Sequence, residues 1–456
     1  MIPTLAGSGL RPSTATQRRS RLCRFLPRKR KLSVLHQLSG STIDGASYTL
    51  DAAGNRTAKV NDLSGGATSN YTYDNIYELL SVVQGTNTTE SYTYDPVGNR
   101  LSSLGMSPYS YNTSNELTST SAASYGYDYN GNTTSKTVSG NTTSYTWDYE
   151  NRLTQVTLPN SGGAVTFKYD PVGRRIEKIS PTTTSIFVYD GDNLIETTNG
   201  SGSEVASYTQ TTNIDEPLAM LRGTTKSFYE ADGLGSITSL SNSSGALVQT
   251  YTYDSFGNTT NSSGSLTNFF RYTAREFDTE TNLYYYRARY YDATSGRFLS
   301  EDPWDADPFY DDSNPYEYVG NNATNFVDPL GLYTLKPGVP APSPALDKLL
   351  TCMDGCVGAP IVVTGTTNGK HQDPGHAAGT SVDIRPPAGT PASKVFCCAG
   401  QCGAAWGINE GPGGQSTPDT TAANYHLALV PRRHPSPKAP NAIPPGCTPG
   451  GCSAPK

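Results

Sequence analysis

The sequence predicts a mainly β protein: stacked β-hairpin repeats forming a spiralling, partly open sheet, followed by a small α+β C-terminal domain. Three observations carry that prediction. The first is composition: the 456 residues include 30 Tyr and 45 Gly, against 12 Phe and 4 Met, and only 16% are charged. Tyr favours strands, Gly and Asn serve turns, and strong helix formers are sparse. The second is an aromatic-x-aromatic-Asp element that returns roughly every twenty residues between Tyr48 and Asp254. The third is an abrupt change after Leu332, where Tyr becomes rare and seven of the eight cysteines crowd between Cys352 and Cys452.

The repeat justifies the strands. Tyr71–Asp74, Tyr92–Asp95, Tyr125–Asp128, Tyr145–Asp148 and Tyr251–Asp254 carry the element, and Phe167–Asp170 and Phe187–Asp190 are close variants. From Asp51 to Asp190 the steps are 23, 21, 17, 16, 20, 22 and 20 residues. Aromatics two apart share one face of a strand. Each Asp then opens a turn, as in Pro96-Val97-Gly98-Asn99, because its carboxylate can bind the backbone ahead of it and Gly supplies a positive φ. A hairpin of this kind cannot bury its aromatic face alone, so neighbouring units must stack. About eleven hairpins give ~22 strands, or roughly 105 Å of sheet. Wrapping a payload some 35 Å across would need about 140 Å, so the expected wall is an incomplete belt.

Charge bounds the partners. Residues 1–40 carry +9, residues 41–333 carry −18 and residues 334–456 carry +3. A central region this acidic repels phosphate, so no nucleic-acid partner is expected for it. Residues 1–40 are expected to be a basic, disordered leader. No apolar run reaches the ~20 residues of a membrane helix, so no transmembrane segment is expected.

The stretch Tyr94-Asp95-Pro96-Val97-Gly98-Asn99-Arg100-Leu101 resembles the YD repeat of RHS proteins. Residues 271–332, from Arg271-Tyr272-Thr273 to Asp328-Pro329-Leu330-Gly331-Leu332, resemble the RHS-repeat-associated core nearly end to end. Tyr229-Glu230-Ala231-Asp232-Gly233-Leu234-Gly235-Ser236 resembles an element upstream of that core but lacks its His. The domain organisation that follows is a leader (1–40), YD repeats (41–265), the associated core (266–332), a Pro-rich linker (333–346) and a Cys-rich variable domain (347–456). The resemblance implies self-cleavage between Leu332 and Tyr333 by two carboxylates, and the matching positions are Asp302 and Asp328. Two adjacent carboxylates cannot both ionise easily, so one can act as acid while the other activates water. Arg297 is expected to hold the pair. The alternative is that both Asp-Pro steps only form turns.

In the C-terminal part, His376-x-x-Gly379-x-Ser381-x-Asp383 is followed by a distant His426 in an apolar strand. The pattern resembles zinc peptidases of the D-alanyl-D-alanine carboxypeptidase and hedgehog-like fold. It implies zinc as cofactor, held by His376, Asp383 and His426 with a fourth position open for water. The family's acid position is Ala423 here, which leaves Glu410 as the candidate base. Cys352, Cys356, Cys397, Cys398, Cys402, Cys447 and Cys452 fit a disulfide framework or a thiolate metal site, and an oxidising destination favours disulfides.

Together these readings describe a secreted or cell-surface protein of polymorphic-toxin type. It would present, and release by self-cleavage, a zinc-dependent peptidase or amidase acting on cell-wall peptide. The expected partners are cell-wall peptide or another competitor-cell target, the rest of a larger RHS shell, and an immunity protein. The alternative is a non-enzymatic surface protein for adhesion or carbohydrate binding with a degenerate C-terminal domain.

Overall fold

The computed structural model describes residues 19–25, 31–61, 65–303, 314–332, 349–350, 353, 361–365, 381–385, 392–401, 404, 406–409 and 425–428. Its wall is built of antiparallel strands in chain order. An eight-stranded sheet runs from Arg19–Phe25 to Arg100–Ser103, and a sixteen-stranded sheet runs from Tyr109–Tyr111 to Thr259–Gly264. Between the two, the chain makes a turn closed by the bridge between Ser103 and Met106. The expected open, spiralling sheet is therefore the fold observed.

Most of these turns are fixed by an Asp, and a few by an Asn in its place. Asp95 Oδ1 accepts N–H groups of Val97 at 3.0 Å and Asn99 at 2.9 Å, and Gly98 takes φ +77° between them. The same bonds recur at Asp128, Asp170 and Asp254. The second aromatic of a unit then reaches back to the preceding unit. Tyr73 donates to Arg56 O (2.6 Å), Tyr94 to Leu79 O (2.9 Å), Tyr169 to Leu153 O (2.6 Å) and Tyr253 to Ile237 O (2.8 Å). The first aromatic is covered from within its own unit where an Arg follows the turn. Arg56 lies 4.5 Å above the Tyr48 ring and Arg100 4.6 Å above Tyr92. A stacked guanidinium is one way to bury a charge on an aromatic wall.

The two ends of the wall overlap. The strand Ile237–Ser241 is buried at all five positions, so both its faces are covered. On one side Asp44 accepts Thr238 Oγ1 at 2.6 Å and Ser239 Oγ at 2.8 Å. On the other, Ile237 and Leu240 join an apolar cluster with Phe270 and Ala274. His36 meets Glu230 at 2.9 Å and Lys59 meets Asp232 at 2.7 Å across the same overlap. Side chains, not ladder bonds, join the ends there.

The expectation of a disordered leader fails for two segments. Arg19–Phe25 pairs with Lys31–Leu38, which in turn pairs with Ser41–Leu50. Behind the basic residues the sequence alternates, and Val34, His36 and Leu38 are buried in turn. That period-2 pattern is a strand signal which the net charge had obscured.

Residues 266–303 and 314–332 form a plug rather than more wall. Its strands Glu276–Asp278, Leu283–Tyr286, Arg289–Asp292 and Arg297–Phe298 make a separate small sheet. The plug binds the Asp-turn end of hairpins all round the wall. Asn321 donates to Gly98 O (2.8 Å), Tyr316 to Gly131 O (2.8 Å), Arg287 to Asp192 O (2.9 Å) and Tyr284 to Gly257 O (3.0 Å). Arg175, with no exposed surface, is clamped by Asp278 and Glu276. In the C-terminal part, Val362–Gly365, Ser381–Arg385, Tyr425–Ala428 and Trp406–Asn409 form an antiparallel sheet in that order, beside a helix at Ala392–Gln401.

Candidate functional site

The segment preceding the expected cleavage bond is held on almost every atom that can be held. Ala288 N–H donates to Leu330 O at 3.1 Å, Arg287 Nη1 donates to Pro329 O, and Arg289 Nε donates to Gly331 O at 2.6 Å. Asp328 Oδ1 accepts the N–H groups of Gly331 at 2.8 Å and Leu332 at 3.0 Å. Gly331 takes φ +72°, and a Cβ there would stand 2.5 Å from Tyr286 O. Only glycine lets the chain lie this close to the strand beside it.

Asp302 and Asp328, predicted as a pair, meet on one guanidinium. Arg289 Nη2 lies 2.8 Å from Asp302 Oδ2 and 3.5 Å from Asp328 Oδ2. Asp302 is further anchored through its own N–H to Pro315 O at 3.1 Å. Both carboxylates are largely buried, where charges interact more strongly than in water. Arg289 is itself fixed: it stacks 3.6 Å from the Phe298 ring centre and donates to Pro315 O. The guanidinium holds the two carboxylates near one another and sets their geometry.

The expected partner Arg297 is not at this site. It binds Asn99 Oδ1 at 3.1 Å, Asn115 O at 2.6 Å and Asn314 Oδ1 at 3.2 Å, and so joins plug to wall. Arg289 was missed, although its signal is present in the sequence. A cation inside Tyr284-Tyr285-Tyr286-Arg287-Ala288-Arg289-Tyr290-Tyr291 is bound to be buried, and a buried Arg needs acids. Tyr333 lies outside the described residues.

For the C-terminal part, Asp383 and His426 are direct partners in the antiparallel pair of Ser381–Arg385 with Tyr425–Ala428. Residues directly opposite in such a pair stand on the same face. His376 and Glu410 lie outside the described residues, as do Cys352, Cys356, Cys402, Cys447 and Cys452. Cys398 is disulfide-bonded and buried, which agrees with the disulfide reading at that position, and Cys397 precedes it in the helix. No helix among the described residues is long and apolar enough to cross a membrane.

Comparison with known proteins identifies the wall and most of the plug. The Teneurin YD-shell profile matches residues 55–324, more than half of the chain. The chain belongs to the Teneurin YD-shell family. This YD shell is similar to the tRNA nuclease WapA of Bacillus subtilis (strain 168), with 36% identity over 275 residues, 57% of this chain and 12% of that protein. The tRNA3(Ser)-specific nuclease WapA of Bacillus spizizenii matches at the same identity and coverage. Salivary gland surface protein 1 of Aedes aegypti is 41% identical over 90 residues, 19% of this chain and 2% of that protein. The chain thus spans about an eighth of the length of the WapA relatives. Among solved structures, a Photorhabdus luminescens Tc holotoxin pore superposes with a TM-score of 0.56 at 20% identity, covering 71% of this chain and 18% of that chain. That likeness is one of fold. The profile match ends before Asp328 and the C-terminal part.

Proposed function

We propose that this YD shell belongs to a secreted or surface-delivered, toxin-type protein that cuts its own chain between Leu332 and Tyr333. Asp302 and Asp328 act as the carboxylate pair, and Arg289 positions them. The observation that supports this reading is the double engagement of Asp328. One of its oxygens faces the guanidinium that also holds Asp302, and the other holds the N–H groups of Gly331 and Leu332. In the reaction, one carboxylate takes a proton from a water that attacks the Leu332 carbonyl carbon, while the protonated partner gives its proton to the carbonyl oxygen. Collapse then breaks the C–N bond, and the amine of Tyr333 leaves with a proton. Asp328→Asn should leave one 48.7 kDa chain where the wild type gives two fragments, as read by intact mass. An uncut wild-type chain sinks the proposal.

For the released part we propose a zinc site of His376, Asp383 and His426, with Glu410 as proton acceptor. The backbone register supports it, because Asp383 and His426 are directly opposite partners in the strand pair. Bound there, zinc would polarise a carbonyl and acidify a water. The proposed substrate is a cell-wall peptide, and the proposed partners are a competitor-cell target, the remaining shell of a larger assembly and an immunity protein. A second reading has support in the relatives that are named tRNA nucleases. On that reading the C-terminal part, which unlike the wall carries net positive charge, cuts tRNA. The full chain should carry about one zinc, lost in His376→Ala. Incubation with D-amino-acid peptides and with tRNA then separates the readings, and metal-free protein removes the zinc site.

A further inference from the structure

One turn of the wall breaks the repeat. Where other units read aromatic-x-aromatic-Asp, this one reads Tyr208-Thr209-Gln210-Thr211. Its turn is a residue longer: Thr211 N–H reaches Glu216 O at 3.2 Å, five positions on, whereas Asp95 N–H reaches Asn99 O, four positions on. Glu216 stands in for the missing Asp, accepting Thr211 Oγ1 at 2.9 Å and Asn213 Nδ2 at 3.0 Å. With the extra residue, Asp215 takes φ +57°, a conformation that Asp tolerates better than most residues. Its carboxylate faces the plug and meets two arginines there, Arg275 Nη1 at 2.5 Å and Arg287 Nη2 at 2.9 Å.

Arg287 stands where a hairpin favours glycine. It follows Tyr286 in the two-residue turn closed by the Tyr286–Arg289 pair, and its φ is +59°. A positive φ at the first position of such a turn is the mark of type II′, in which Gly is the usual residue. A side chain kept there against the backbone's preference is over-determined by its surroundings, and such residues cluster at functional sites. The surroundings are the wall and the cleavage segment. Arg287 Nη1 donates to Pro329 O, and Nη2 donates to Asp192 O in a neighbouring wall turn at 2.9 Å. Arg287, Ala288 and Arg289 thus grip three successive carbonyls, Pro329, Leu330 and Gly331, on the approach to the Leu332–Tyr333 bond. The second and third grips are made within the plug, whereas the first is shared with the wall. Arg275, the other arginine on Asp215, donates to Tyr285 O at 2.7 Å and so fixes the strand that leads into this turn.

We infer that Asp215 is a positioning residue for the self-cleavage, acting through Arg287, so that the scissile bond comes into place once this wall turn has docked. The inference rests on the cleavage reading. Pairing with Asp215 fixes the planar guanidinium fork, and the fork fixes the Pro329 carbonyl three residues before the bond. Full-length chain made by cell-free synthesis, stopped in denaturant at set times and read by intact mass, gives the rate of scission. Asp215→Asn suits the same turn, because Asn also tolerates a positive φ, but removes the charge. It should slow scission roughly tenfold to a hundredfold, and Arg287→Met should do at least as much. The double variant should be no slower than Arg287→Met alone, since Asp215 acts through that side chain. Lys136→Met, which breaks a different ion pair between wall and plug, that with Asp292, should leave the rate unchanged. Wild-type speed in folded Asp215→Asn overturns the inference. So do effects that multiply in the double variant, or a Lys136→Met chain slowed as much as Asp215→Asn, which would point to plug docking in general. If Asp215→Asn does not fold, Arg287→Lys, which keeps the charge but lacks the fork, must slow scission or the inference falls. A wild-type chain that stays whole is a separate result and removes the cleavage reading itself.

Discussion

At position 77 a tyrosine occupies the place that glycine holds in most of the turns. Tyr77 has φ +74°, where Gly98, Gly173 and Gly257 serve the equivalent position of other units. Its side chain is 39% exposed, so little packing offsets the strain. A left-handed conformation costs a residue with a Cβ roughly 1–2 kcal/mol. Tyr77→Gly should therefore raise stability by about 1 kcal/mol, less the extra entropy of the unfolded glycine, as measured by denaturant titration. The turn residues were legible in the sequence because Asp and Gly act locally. The burial of Arg289 was legible too, but the acids it meets were not, since they arrive from 13 and 39 residues further along the chain.

At the scale of the element, a hairpin is tied to the plug through its turn, and one such tie titrates. Glu78 accepts Asn321 Nδ2 at 2.9 Å. Burial, with Asp74 and Asp95 nearby, pushes its carboxyl up from 4.5 to about 7 despite the bond from Asn321. A carboxyl whose folded value is raised binds its proton more tightly when folded. Its contribution to stability is thus complete below about 4.5 and is lost as pH rises through about 7. Thermal stability should fall across that window, and Glu78→Gln should make the fall shallower. An unchanged slope in the variant would assign the titration elsewhere. That Leu79 to Gln84 forms a strand could be read from the sequence, whereas its link to Asn321 spans 243 residues and leaves no periodic trace.

On the scale of the whole molecule, the open sheet turns far enough for its two ends to overlap through side chains. The strands that meet, Ser41–Leu50 and Thr225–Ala231, are about eighteen strand spacings apart, or roughly 90 Å of wall. That turn is tighter than the ~140 Å estimated for enclosing a globular payload, and the plug fills one end of it. The sequence announced the repeat and its length, but the overlap depends on pairs such as His36 with Glu230, whose two partners lie far apart in the chain and match no motif. Lys59→Met should cost roughly 3 kcal/mol or more, because it leaves Asp232 as a buried carboxylate without its cation. Lys59→Met combined with Asp232→Asn should recover part of that loss, and equal losses in both proteins would assign the effect to packing.

The backward-reaching tyrosines carry one more consequence. Each finds a backbone acceptor on a hairpin made earlier in the chain. During synthesis a hairpin leaving the ribosome can dock on a finished neighbour without waiting for the rest of the chain. The wall can be laid down in the order of translation, course upon course, and the segment that grips turns at one end of the hairpins emerges after the last course is in place.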